Sequence, residues 1–151
     1  MDAPAVSPAS PVAPDPAAVA AHMFAADRAS RGLGMRITSV GPGQATLTMT
    51  VRDDMLNGHD ICHGGLITTL ADSAFAFACN TYDLVTVASA ATVEFLLSAH
   101  LGDELTAIAE ERSRSKRTGI YDVAVSNQRG ECVALFRGRS HQLGGSVTAA
   151  P

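Results

Sequence analysis

The sequence predicts a single α+β domain, an antiparallel sheet wrapped around one apolar helix. Three observations predict it. One long segment, 63–80, carries apolar residues at helical spacing with almost no charge. Residues 44–51 alternate as a half-buried strand does, with Leu47, Met49 and Val51 on one face and Thr46, Thr48 and Thr50 on the other. After the helix come four segments rich in β-branched residues, separated by turn signals.

Taken in order, residues 1–16 form a Pro/Ala-rich tail with little to bury, expected to be disordered. Asp15-Pro16 reads as an N-cap followed by proline at the first helical position. That helix is expected to run to about Arg31 and stop at Gly32 or Gly34. Strands over 35–40 and 44–51 form a hairpin across Gly41-Pro42-Gly43. A loop spans 52–62, and the central helix extends from about Gly64 to Asn80. Strands follow over 85–97, 104–112, 119–127 and 131–142, with turns at 100–103 and 127–130. The folded domain is bounded at 17–145, and 146–151 is expected to be a flexible end.

Composition narrows the class. At 151 residues one domain has room for a real core, and 46% hydrophobic with 17% charged residues fits a globular chain. A net charge of −4 argues against nucleic acid as the main partner. No apolar run spans a bilayer. No positive charge precedes Arg28, so the basic region of a secretory signal is missing. Cys62, Cys79 and Cys132 show no paired spacing, which points to a reducing cytoplasm, with Cys79 and Cys132 as small core residues.

The chemistry concentrates in 57–72. Asp72 is the only charged residue between Gly64 and Cys79. A carboxylate on so apolar a helix is costly without partners or a task; otherwise it lies on a solvated stripe or caps a loop. Gly64 and Gly65 put bare amides at the helix start, where first-turn donors lack partners and the dipole is positive. Those amides suit a thioester carbonyl as an oxyanion hole, although a Gly-Gly pair also occurs as a plain loop-to-helix junction. Asp72 lies seven positions past Gly65, or about 10 Å. Both reach one carbonyl only if a two-fold dimer brings the helix start of one chain to Asp72 of the other.

His59, Asp60, Cys62 and His63 have ligand chemistry but stand too close in sequence to converge on one tetrahedral ion, so no metal is expected. Cys62 beside His63 suggests a thiol nucleophile only weakly, because adjacent side chains diverge. Arg112, Arg114 and Lys116 would share one strand face, with Arg117 beside them. They suit either the phosphates of a nucleotide or a charged edge that resists aggregation.

The segment LNGHDICHGGLITTLADSAFAFACN closely resembles the signature of bacterial phenylacetic-acid-degradation thioesterases of the hotdog superfamily. The likeness continues through VASAATVEFL, GDELTA, TGIYDVAV and CVALFRGRSH, and covers roughly 24–145. It implies a hotdog fold and a homodimer with active sites at its interface, paired as a dimer of dimers. By motif position Asp72 matches the catalytic carboxylate and Gly64 the amide that polarises the carbonyl, while Asn57 and His63 match supporting residues. Gly65, Ser89 and the turn Lys116, Arg117, Thr118 and Gly119 are the implied acyl-CoA contacts.

The implied reaction is hydrolysis of acyl-CoA, with phenylacetyl-CoA or a ring-modified form as the family expectation and fatty-acyl or benzoyl thioesters as alternatives. Coenzyme A is then part of the substrate, and no cofactor is expected. Two other readings share the fold: an acyl-thioester dehydratase or hydratase, and a non-catalytic acyl-CoA-binding module.

Overall fold

A computed structural model describes residues 12–149. Asp15 caps α1 (Pro16–Ala26), its Oδ1 accepting from the Ala17 amide at 3.0 Å. The first helix is shorter than expected. It ends at Asp27, which becomes the N-cap of a second short helix, α2 (Arg28–Gly32). The reason is tertiary: Ser30 is held by the Asp27 carboxylate at 2.6 Å and meets the Ser73 hydroxyl at 2.9 Å, fixing α2 against the central helix.

Strands β1 (Arg36–Gly41) and β2 (Gln44–Thr50) form the expected hairpin. A 3₁₀ turn at Asp53–Met55 leads into the loop before α3 (Gly64–Asn80). Strands β3 (Thr86–Phe95), β4 (Glu104–Ser115), β5 (Thr118–Ser126) and β6 (Cys132–Gln142) complete one six-stranded antiparallel sheet in the order β1-β2-β4-β5-β6-β3. The sheet wraps α3, which gives the hotdog architecture.

The alternating pattern of β2 sets its inner face, with Ala45, Leu47, Met49 and Val51 all buried. Ala107, Ala109, Tyr121, Val123 and Val125 extend that face over β4 and β5. Against it pack Ile67, Leu70, Ala71, Ala74, Phe75 and Ala78 of α3. Phe75 meets Tyr121 edge-on at 5.5 Å, and Phe77 on another side of α3 meets Phe24 of α1 at 6.1 Å. Sheet and short helices thus cover most of α3. One stripe remains, Gly65, Thr69, Asp72 and Ala76, half-buried or exposed.

The two ends of the chain compare differently with expectation. Residues 1–11 of the tail lie outside the described residues, and 12–15 are exposed and irregular. At the other end, 146–149 form a bonded turn rather than a flexible end. Ser146 and Thr148 hydroxyls donate to Asp83 at 2.7 and 3.1 Å, and the Thr148 amide adds a third bond at 2.9 Å. Cys79 is a core residue as expected, but Cys132 is exposed, and all three thiols are free.

Candidate active site at the start of the central helix

The loop that delivers the chain to α3 is built around Asn57. Its Oδ1 accepts from the His59 amide at 2.9 Å and the Ile61 amide at 3.4 Å, while its own amide donates to Ile61 O at 2.9 Å. Leu56 and Cys62 form a bridge, and the Cys62 amide donates to Ala99 O at 2.8 Å, pinning the loop beneath the end of β3. With Oδ1 occupied, only the Nδ2 donor of Asn57 remains for a substrate or water.

His63 ends the loop and caps α3. Its Nδ1 accepts from the Gly65 amide at 3.0 Å, and its carbonyl takes the Leu66 and Ile67 amides. The histidine therefore braces the helix start. The Gly65 amide, expected to face substrate, is taken by that imidazole. Among the described residues the Gly64 amide has no acceptor. It stands at the positive end of a helix about 25 Å long. Gly64 and Asn57 line one cavity of about 330 Å³, whose apolar walls include Ile61, Ile67, Phe95, Leu96 and Leu97.

Asp72 is not in that cavity. It lies eight positions further along α3, about 12 Å from Gly64. Its carboxylate makes no hydrogen bond or ion pair among the described residues, and desolvation raises its pKa above the ordinary carboxylate value. The group is exposed in the single chain even though nearby protein desolvates it, because it sits on the one stripe of α3 left uncovered. Cys62, by contrast, is a buried thiol pushed up by burial, with its Sγ directed to the His63 carbonyl at 3.8 Å. A buried, protonated thiol is a poor nucleophile, so the thiol alternative loses its support. Among the described residues no three His, Cys, Asp or Glu side chains converge as metal ligands do.

The basic cluster divides. A bulge between Glu111 and Ser113 shifts the register of β4 against β5 and breaks the shared face expected of Arg112 and Arg114. Arg112 pairs with Glu110 and Asp122, both at 3.0 Å. Arg114 stacks 3.7 Å over the Tyr82 ring and meets Glu111 at 3.6 Å. Lys116 and Arg117, in the turn between β4 and β5, make no ion pair among the described residues. With Thr118 they border a small cleft beside Cys79 and Tyr82, at the end of α3 remote from Gly64. Gly119 is no contact point. It is buried, and a Cβ there would meet Tyr121 Cε2 at 2.8 Å and Ser140 Oγ at 2.9 Å, so glycine serves packing. Ser89 sits at a bulge of β3, exposed, its hydroxyl donating to Arg139 O at 3.1 Å.

One chain therefore joins Gly64, His63 and Asn57, but leaves Asp72 in the middle of the helix and Lys116 to Thr118 at its far end. The sequence points to the central helix and the strand over 87–97 as pocket walls, and within that strand the structure singles out Phe95 to Leu97. Their signal was a run of three apolar residues that breaks strand alternation just before the 100–103 turn.

Known proteins share this arrangement of sheet and helix. Acyl-coenzyme A thioesterase PaaI of Escherichia coli (strain K12) is 50% identical over 126 residues, covering 83% of this chain and 90% of that protein. The solved structure of E. coli PaaI, from the phenylacetic acid degradation operon, superposes with a TM-score of 0.86 at 48% identity, covering 87% of this chain and 95% of that one. A mutant of the phenylacetic acid degradation protein PaaI from Thermus thermophilus gives a TM-score of 0.75 at 37% identity, covering 78% and 100%. Residues 59–134, which hold the helix start, Asp72 and most of the sheet, match the sequence model of the thioesterase superfamily. With the sequence signature, the wrapped helix and these relatives in agreement, the chain is a member of the thioesterase superfamily.

Proposed function

We propose that this protein hydrolyses acyl-CoA thioesters, with phenylacetyl-CoA or a ring-modified aromatic acyl-CoA as its substrate, and that Asp72 carries the chemistry. The observation that carries the reading is a pair of groups on one helix that are unpaired among the described residues: a Gly64 amide without an acceptor and an Asp72 carboxylate without a donor. First-turn amides lack intrahelical partners, and the stripe of α3 that carries Asp72 is left uncovered, so a substrate carbonyl at the one and a second chain beside the other would give both groups a task.

In this reading the thioester oxygen accepts from the Gly64 amide, which stabilises the negative charge that develops there. Asp72 takes a proton from water, the hydroxide adds to the carbonyl carbon, and the tetrahedral intermediate breaks the C–S bond. The departing thiolate recovers the proton from Asp72. Direct attack by the Asp72 carboxylate, through an anhydride that water then cleaves, uses the same two groups. His63 holds the helix start, and the Nδ2 of Asn57 donates to the water or the carboxylate.

The 12 Å between Gly64 and Asp72 calls for a second chain. Support for a homodimer comes from β3, an edge strand with every residue half-buried or exposed. A two-fold partner there would cover the uncovered stripe of α3 and supply the other Asp72, and a dimer of dimers follows the family pattern. In this reading Lys116 and Arg117 take the coenzyme A phosphates.

The test is release of coenzyme A from phenylacetyl-CoA, benzoyl-CoA and a medium-chain acyl-CoA, wild type beside Asp72→Ala. Turnover by the wild type and none by the variant supports the assignment. Tight binding of all three with no turnover would replace it with an acyl-CoA-binding module.

A further inference from the structure

The cavity beside Gly64 has a wall that the sequence motif does not contain. Of five phenylalanines, Phe24, Phe75, Phe77 and Phe136 pack into or against the core, whereas Phe95, at the end of β3, is 53% exposed. Its ring stands directly on the helix start. A Cβ built on Gly64 would meet Phe95 Cζ at 3.0 Å and Cε1 at 3.2 Å. The ring thus borders the one helix-start amide that has no acceptor among the described residues. Ile61, Cys62, Ile67 and Leu97 line the same cavity, whose volume is about 330 Å³. Ligand pockets run from roughly 300 to 1,000 Å³, so this one suits a compact group.

We propose that Phe95 determines acyl specificity: its ring packs on the acyl group whose carbonyl sits at Gly64 and favours a compact aryl-acyl thioester over a linear aliphatic one. The proposal rests on the thioesterase reading above and names its substrate class. The physical basis is shape and quadrupole. An aryl group presents a face and an edge to the Phe95 ring and packs offset or edge-on. A linear chain offers neither, so it gains only non-directional apolar contact from the ring.

The test is binding, so that it does not depend on turnover. In an Asp72→Asn background, which keeps the thioester intact during titration, calorimetry gives Kd for phenylacetyl-CoA and octanoyl-CoA with Phe95 present, with Phe95→Leu and with Phe95→Ala. Leucine keeps an apolar wall and removes the aromatic face; alanine removes the wall. Phe95→Leu is expected to weaken phenylacetyl-CoA roughly tenfold while octanoyl-CoA changes by less than about twofold. Phe95→Ala is expected to move the ratio further toward octanoyl-CoA. Equal changes for both ligands, or none, overturn the proposal even if the protein is a working thioesterase. Absence of turnover by the chain with Asp72 intact sinks the thioesterase reading separately, and failure of both ligands to bind sinks both.

Discussion

The protein treats two of its carboxylates, Asp72 and Asp103, in opposite ways. Asp103, 5% exposed before β4, is fully engaged. Its Oδ2 accepts from the His100 amide at 2.8 Å, and its Oδ1 from Gln128 Nε2 at 2.8 Å and Arg129 Nη1 at 3.5 Å. The Gln128 bond, then the His100 amide, hold its pKa below the ordinary value. Asp72 has no such donor, and desolvation pushes its pKa up. The first carboxylate ties a turn to a neighbouring turn. Among the described residues nothing holds the second in its charged form. A satisfied buried acid builds structure, while an unsatisfied one at a helix surface waits for a partner.

Replacing the unsatisfied acid sharpens the contrast most. Asp72→Asn is expected to lower turnover at least about a hundredfold, the scale of losing a base or nucleophile, with the far-UV spectrum unchanged. The same change should not lower Tm at neutral pH, and should raise it. A carboxyl group whose folded pKa is raised lets the folded state bind the extra proton, so stability falls as pH rises through that window and stays lower above it. Removing the charge removes that loss. For the wild type, the rate is expected to rise with pH along an ionisation lying above 3.8, the ordinary value for aspartate. A variant with wild-type turnover, or a rate flat through that range, would place the chemistry elsewhere.

Gly64 belongs with Asp72 in this comparison, since its amide is also unpaired. Gly64→Ala is expected to reduce turnover by about tenfold or more, because the new methyl must displace the Phe95 ring and crowd the carbonyl oxygen. The backbone there is ordinary helix, so Tm should hold. Adding Phe95→Ala to the same chain should restore part of the rate. No recovery in steady-state kinetics would mean that the methyl acts on the amide itself and not through the ring.

The satisfied carboxylate is expected to behave in reverse. Asp103→Ala leaves the His100 amide and the Gln128 side chain without their acceptor, at a cost of about 0.5–1.5 kcal/mol for each bond lost. For a domain of this size that is a fall of several degrees in Tm. Activity of the folded fraction should stay within about twofold, since no transition-state contact is lost. In the wild type the depressed pKa adds stability that is present above 3.8 and lost as pH falls through the folded value. Loss of activity without loss of stability would break the division between the two acids.

The sequence carried the parts of this contrast that are local. Alternation in 44–51 fixes the inner face of β2, and a helix with one charge in its interior singles out Asp72 before any contact is known. What it lacked was set by pairing at a distance. The break at Asp27 depends on Ser30 meeting Ser73, 43 positions away. The bulge that separates Arg112 from Arg114 depends on β5 opposite, and the burial of Gly119 depends on Ser140 of β6. The same limit applies to Phe95: the strand over 87–97 is legible as a pocket wall, but the place of its ring on Gly64 depends on where β3 lays it. Asp103 illustrates the converse: its position in a turn signal was legible, but its side-chain donors, Gln128 and Arg129, come from the 127–130 turn and so were not.

The smallest expected effect concerns the remaining group near the helix start. Cys62 borders the same cavity as Gly64, so a thiol mechanism would draw on the same site. Its surroundings argue the other way. Burial raises its pKa, its Sγ is directed at the His63 carbonyl, and the Nδ1 of His63 accepts from the Gly65 amide. A thiol kept protonated contributes packing alone. Cys62→Ser replaces it with a hydroxyl of similar size in a mainly apolar wall, so a modest loss of Tm is expected from the added polar atom. The rate should remain within about twofold of wild type, because neither the Gly64 amide nor Asp72 is touched. A rate lowered as far as in Asp72→Asn, with no covalent acyl adduct trapped on the serine variant and one trapped on the wild type, would transfer the chemistry to sulfur. The carboxylate contrast would then describe the packing of α3 and not its reaction.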